Sequence, residues 1–311
     1  MIRIATRSSA LAKAQAGQVA ALLGGAELVE CSSDGEPGDK ARFVRGVERA
    51  LLEGEAEIGV HSAKDVPAEM PAGLVIAAVP VRESAVDVWI GARSSAISRQ
   101  TRPGSLDDVE EGARVGTASL RRRAQLLAAR PDLEVGELHG NVDTRLRKLA
   151  DGEFDAIVLA GAGLRRLGRE DEASFELPAE TMTPAAGQGA LVLQARSEDT
   201  EAVEAAAAIG DEVALRELTA ERAVVALLDA TCATPIGVHA RVESTTGEGS
   251  SADGGDRLLI EAFVGLPDGS EWIRDRVEGD ASEPAAAGAL LAERLLGAGA
   301  REILDRAEAV A

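Results

Sequence analysis

Glu57-Ile58-Gly59-Val60-His61-Ser62-Ala63-Lys64-Asp65-Val66-Pro67 is the stretch on which the reading of this chain turns. Its first four residues are strand-like, and the next seven crowd a titratable ring, a hydroxyl, an ammonium and a carboxylate into one turn that ends in proline. Such a turn predicts an α/β unit with polar groups gathered at the carboxyl end of its sheet. Four more polar clusters follow, each where an element starts or stops: GTASLRRR from Gly116, HGNVDTRLRKL from His139, AAGQGAL from Ala185 and ATCATPIG from Ala230. Five clusters of this kind predict a single assembled site.

On either side of that stretch, strands and helices alternate. IRIAT precedes the helical stripe Leu11, Ala14, Gln18, Leu22; ELVEC precedes Val44, Val47, Leu51; then comes EIGVH. This is the rhythm of a parallel sheet with covering helices. It restarts after Pro80, with VDVWIG, ARVGT, LEVGELH and DAIVLA as strands and helices expected near 105–111, 119–130 and 142–151. AAGQGALVLQAR reads as a returning strand. Beyond 212 the pattern changes to a helix over 213–228, a strand at HARVE, a hairpin turning at Pro267-Asp268-Gly269 and a last helix over 285–296. The expected organisation is α/β, with one domain from 1–82 and 188–207, a second from 85–183, and a small α+β domain from 212–311. The Gly, Ser and acid-rich stretch 244–256 reads as a solvated loop.

A chain of 311 residues accommodates two or three domains. Its net charge of -20 is spread along the whole length, and Lys occurs only at 13, 40, 64 and 148. That balance argues against nucleic-acid and anionic-membrane partners, which need a basic face. An acidic, Ala-rich, Lys-poor surface suits a salt-rich cytoplasm, where salt screens self-repulsion. Cys31 and Cys232 are the only cysteines and lack metal-ligand spacing, so neither a disulfide framework nor a metal site is expected. With no apolar run of membrane-span length, the chain reads as soluble and cytoplasmic.

Thr117 and Ser119 are N-cap candidates, which places Arg121, Arg122 and Arg123 in the first turn of a helix, against a dipole that disfavours cations there by about 0.3–1 kcal/mol each. Asn141 or Asp143 caps the next helix, with Arg145 and Arg147 in its opening turns. Cations at helix N-termini suit carboxylates or phosphates. The plain alternative is a basic patch paired with this chain's abundant acids. Asp65 could stabilise a cation or shuttle a proton, or simply hold its turn. His61 reads as hydrogen-bonding support. Cys232 is either filler or a nucleophile, but no histidine lies near it in sequence to make a hydrolytic pair. Gly187-Gln188-Gly189 reads as a close backbone approach in the returning strand, with Gln188 offering an amide.

Taken together, RIATRSSALAKAQA, FVRGVERALLEGEAEIGVHSAKDVP, VGTASLRRRAQL, GNVDTRLRKLADGEFDAIVLAGAGLRRLG, PAAGQGAL and TCATPIG closely resemble the porphobilinogen deaminase (hydroxymethylbilane synthase) family, in order through almost the whole chain. The resemblance implies two α/β domains similar to periplasmic binding proteins, flanking a cleft, plus the small third domain. It implies a transferase of tetrapyrrole biosynthesis that condenses four porphobilinogen molecules head to tail, releasing ammonia, to give linear hydroxymethylbilane. It implies a dipyrromethane cofactor held by a thioether to Cys232, with its carboxylates on Lys64, Thr117, Ser119, Arg121 and Arg122. Arg7, Ser9, Gln15, Arg145, Arg166 and Gln188 would hold substrate or growing chain, and Asp65 would be the catalytic carboxylate. A monomer with no partner beyond its small-molecule substrate is expected.

The chain departs from the family pattern in four places. His139 replaces the usual Arg before GNV, Ala118 replaces a Ser, and Thr231 replaces the Gly before the Cys. SSDGEPGDKARF is shorter than the family's loop over the cleft, with Lys40 and Phe43 expected near the site. Two other readings compete: a carboxylate-binding protein with an Arg-lined cleft, and a Cys-dependent amidohydrolase, which would need a base beside Cys232.

Overall fold

A computed structural model describes residues 1–32, 42–67, 69–91, 103–231, 234–244 and 256–309, with only the backbone of Arg42 and Phe43. Cys232, Lys40, the Phe43 side chain and most of the 244–256 loop therefore lie outside the described residues. In chain order, β1 (Arg3–Arg7), α1 (Ala10–Leu22), β2 (Glu27–Cys31), α2 (Arg42–Leu52), β3 (Ile58–Ser62) and β4 (Leu74–Ala78) come first. Next are β5 (Asp87–Gly91), β6 (Arg114–Gly116), α3 (Leu120–Ala129), β7 (Glu134–Gly136), α4 (Val142–Ala150), β8 (Ala156–Ala160), α5 (Gly161–Arg166) and β9 (Phe175–Leu177). The chain then forms β10 (Leu191–Arg196), α6 (Thr200–Ala207), α7 (Glu212–Leu227), β11 (Ile236–Glu243), β12 (Arg257–Gly265), β13 (Trp272–Asp280), α8 (Pro284–Gly297) and α9 (Ala300–Glu308).

The strands make three sheets, in the orders β2-β1-β3-β10-β4, β7-β6-β8-β5-β9 and β11-β12-β13. The first two repeat one design: three parallel strands, then an antiparallel strand, then an edge. The antiparallel member arrives each time from the other sheet. β5 enters the second sheet from β4, and β10 returns to the first from β9. The sheets are therefore mixed where alternation alone predicted parallel ones, because each of the two crossovers delivers a strand running the other way. The third sheet is an antiparallel meander whose inner face packs on α7, α8 and α9 through Val224, Ile260, Leu291 and Ile303.

Local chemistry accounts for the helix starts. Ser9, Ser119, Asn141, Asp199 and Asp211 each accept a hydrogen bond from the main-chain N–H three residues on, satisfying a donor that the first turn leaves over. The hairpin turns where expected, with Asp268 Oδ1 accepting from Ser270 N at 3.0 Å and Gly269 at φ 73°. The helix expected over 105–111 is instead a single 3-10 turn, Leu106–Asp108. Only Leu106 and Val109 of that segment reach the core, too little apolar surface to hold a longer helix. The chain also continues past the expected last helix into α9.

Candidate active site

Ala63, Lys64 and Asp65 form one 3-10 turn straight after β3, closed by Val66 N to Ala63 O at 3.1 Å and tied to the return strand by Ala63 N to Ala190 O at 3.0 Å. Gly187, at φ 72°, lets that strand come close: a Cβ there would lie 2.9 Å from Ala63 and from Lys64 N. Lys64 Nζ donates to Gln188 Oε1 at 3.3 Å. Gln188 Nε2 donates to Ala85 O at 2.6 Å and to Asp87 Oδ1 at 2.8 Å. Asp87 in turn receives Arg121 Nη2 at 2.7 Å and Arg122 Nη2 at 2.8 Å. A continuous polar chain thus links the turn of the first sheet to the helix that opens from the second.

Ser119 caps α3, and Thr117 Oγ1 accepts from Ser119 N at 3.2 Å. The cations that follow are no solvated patch: Arg121 and Arg122 are 4% and 5% exposed, around a fully buried Asp87. Arg121 also donates to Thr183 O and Arg122 to Val158 O. Burial alone would raise the Asp87 pKa, but the two guanidiniums hold its carboxyl well below the usual range. Two positive charges here face one negative charge. Lys64, beside them, is pushed from 10.5 down to about 8, first by burial and then by Arg122, with Asp65 and Asp87 opposing. Arg145 of α4 donates to Gly140 O at 2.7 Å, has no carboxylate partner among the described residues, and is pushed down to about 10 by burial and by Arg122. Arg166 of α5 donates to Gly189 O at 2.6 Å, and burial lowers its pKa.

Arg7, Gln15, His61, Ser62 and Asp65 line a small pocket at the carboxyl end of the first sheet. Gln15 Nε2 donates to Ser62 Oγ at 2.8 Å, while the Ser9 hydroxyl caps α1. The Asp65 carboxylate accepts no hydrogen bond among the described residues. His61 is buried against Gln194 at 3.0 Å, and Gln194 donates to Glu48 at 3.1 Å. Burial pushes the His61 pKa from 6.5 down to about 4, so the ring is a neutral support at physiological pH, as expected. His139 is exposed and lies 3.0 Å from Glu137. Next to the undescribed Cys232, Thr231 N donates to Thr234 Oγ1 at 2.8 Å, which braces the loop after α7.

A family model for porphobilinogen deaminase, dipyromethane cofactor binding domain, matches residues 2–204, and a model for its C-terminal domain matches 215–297. The chain belongs to the porphobilinogen deaminase family. Among curated members, the porphobilinogen deaminase of Thiobacillus denitrificans is 46% identical over 86% of this chain and 81% of that protein. That of Syntrophus aciditrophicus is 40% identical over 99% of both. A putative methionine-binding lipoprotein of Bacillus subtilis is similar in structure at 14% identity and a TM-score of 0.39, covering 66% of this chain and 87% of that one.

The structure adds residues of this family member that sequence reasoning missed. Asp87 opens an otherwise apolar strand, a signal that was legible. Arg82, in the first crossover, donates through Nε and Nη2 to Gln188 O at 3.0 Å in the second, and meets Glu221 of α7 at 2.8 Å. Glu221 also accepts from Gly187 N at 2.6 Å and Ala240 N at 2.8 Å. Its signal was a carboxylate on the buried stripe of α7, between Leu218 and Val224.

Proposed function

We propose that this chain is a hydroxymethylbilane synthase, condensing four porphobilinogen molecules head to tail with release of ammonia. The observation that carries the reading is the polar chain Lys64–Gln188–Asp87–Arg122, which joins the two sheets at a cluster with more positive than negative charge. Each porphobilinogen unit bears an acetate and a propionate, so the growing chain is a polyanion that such a cluster suits.

The residues fit a dipyrromethane cofactor. Arg121 and Arg122 retain N–H groups beyond those given to Asp87 and the carbonyls, and Lys64 is charged below pH 8. In this reading Lys64, Thr117, Ser119, Arg121 and Arg122 hold its carboxylates and Cys232 its thioether bond. When bound, the cofactor supplies the pyrrole carbon from which the chain grows. Arg7, Ser9, Gln15, Arg145 and Arg166 bind the incoming substrate and chain, and Gln188 contributes by positioning Lys64. Asp65, with its carboxylate uncommitted, stabilises the positive charge that develops on the substrate pyrrole as ammonia leaves, and moves protons during coupling.

The proposed division is 1–82 with 188–207, 85–183, and 212–311, supported by which strands share each sheet. The proposed setting is a monomer in a salt-rich cytoplasm, which the net charge of -20 suits. Among the described residues no helix is long and apolar enough to cross a membrane.

Incubation with porphobilinogen should release ammonia and give a product that oxidises to uroporphyrin. Asp65→Asn should fold and keep its cofactor but turn over about 100-fold or more slowly. Binding of porphobilinogen without ammonia release would favour the carboxylate-binding protein instead.

A further inference from the structure

Because Asp65 has no hydrogen bond to a described side chain or main-chain group, the backbone of its turn decides where its carboxylate lies. On the N-terminal side, Ala63 is fixed to Ala190 O and crowded by Gly187. On the C-terminal side the carbonyls of Val66 and Pro67 receive no main-chain hydrogen bond from the described residues. Both are taken by one side chain from the far end of the sequence. Arg222 of α7 donates through Nη1 to Val66 O at 3.1 Å and through Nη2 to Pro67 O at 2.7 Å.

The helix that delivers Arg222 is itself seated under the turn. Asp211, its cap, donates its N–H to Val79 O at 2.8 Å. Ala214 and Leu218 then pack with Ala63, Val66 and Val192 in one apolar cluster. One turn further on, Arg222 stands beside Glu221, the residue bound to Arg82 and to Gly187 N. α7 runs on into the loop that holds Thr231 and Cys232.

We propose that Arg222 is a positioning residue for Asp65: its guanidinium fork holds two consecutive carbonyls of the turn and so fixes the carboxylate relative to the helix that leads to the Cys232 loop. The proposal rests on the reading of Asp65 as the catalytic carboxylate. A planar fork with divergent N–H groups reaches two carbonyls at once, whereas an ammonium on a flexible stem reaches one well, so lysine is a partial substitute.

The test is steady-state kinetics on the cofactor-loaded full chain, with rates expressed per cofactor-loaded molecule as counted by intact mass. Arg222→Gln should lower kcat about 10- to 100-fold, the range that a small misplacement of a reacting group produces, while KM for porphobilinogen stays within about twofold. Arg222→Lys should fall between that variant and the parent, and serves alone if Arg222→Gln yields no loaded protein. A kcat per loaded molecule within about twofold of the parent overturns the proposal, since a residue that only stabilises the fold changes the yield of loaded protein and not its rate. Asp65→Asn is run alongside. If it is fully active, the reading of Asp65 fails and the proposal with it. If it is inactive while Arg222→Gln and Arg222→Lys are normal, only the role of Arg222 fails.

Discussion

Arg122 Nη2 lies 2.8 Å from Oδ1 of Asp87, and both side chains are almost wholly shielded from water. Through this pair the helix with the cationic run is fixed to the first residue of β5, where the chain has just crossed from the first sheet to the second. The cations that oppose the dipole of α3 are therefore tolerated for a structural reason, and the charge left over after pairing is what remains for a ligand. The structure thus contains both sequence-level readings of the Arg run, pairing with an acid and an excess of positive charge.

Removing Asp87 should expose how much that pairing contributes. Asp87→Asn leaves two buried guanidiniums without a counter-charge, and breaking a buried pair in this way costs about 3–5 kcal/mol. Urea unfolding at fixed salt and neutral pH should show a loss of that size. A loss below about 1 kcal/mol would mean that carbonyl acceptors alone satisfy Arg121 and Arg122.

The depressed pKa of Lys64 predicts a pH limb. Its ammonium, held down to about 8 by burial and by the neighbouring arginines, loses its charge as pH rises through that value, and attraction for carboxylates weakens with it. In the free enzyme kcat/KM for porphobilinogen should fall above pH 8. Lys64→Arg, which stays charged, should move the limb to higher pH at constant ionic strength. An unmoved limb would assign it to another group.

His61 predicts a separate effect on stability. Its folded-state pKa of about 4 lies below its unfolded value of 6.5, so between these pH values the unfolded chain binds the extra proton. Stability should therefore fall as pH drops from 6.5 to 4, by about 3 kcal/mol from this residue. His61→Gln should flatten that part of the unfolding profile. An unchanged slope would mean that the acid sensitivity comes from carboxylates alone.

What was legible in the sequence was local. The turn after β3, the caps at Ser119 and Asn141, and the close approach at Gly187 and Gly189 all depend on residues within a few positions of one another. Pairings across the fold were not. Asp87 and Arg121 are 34 positions apart and Arg222 is 156 from Val66, and only the two crossovers bring such partners together. The same crossovers explain why alternating strands and helices suggested parallel sheets that proved mixed. Sequence patterning records which face of an element is buried, but not the direction from which a strand enters its sheet.

The central claim is that this chain builds a pyrrole chain on Cys232, and the intact mass of the denatured protein tests it most directly, because a thioether survives denaturation and a bound ligand does not. The account predicts an excess equal to two linked pyrrole units, present in the parent chain as purified or after exposure to porphobilinogen and absent from Cys232→Ser under both conditions. A parent mass with no excess after that exposure, or the same excess in Cys232→Ser, would contradict it.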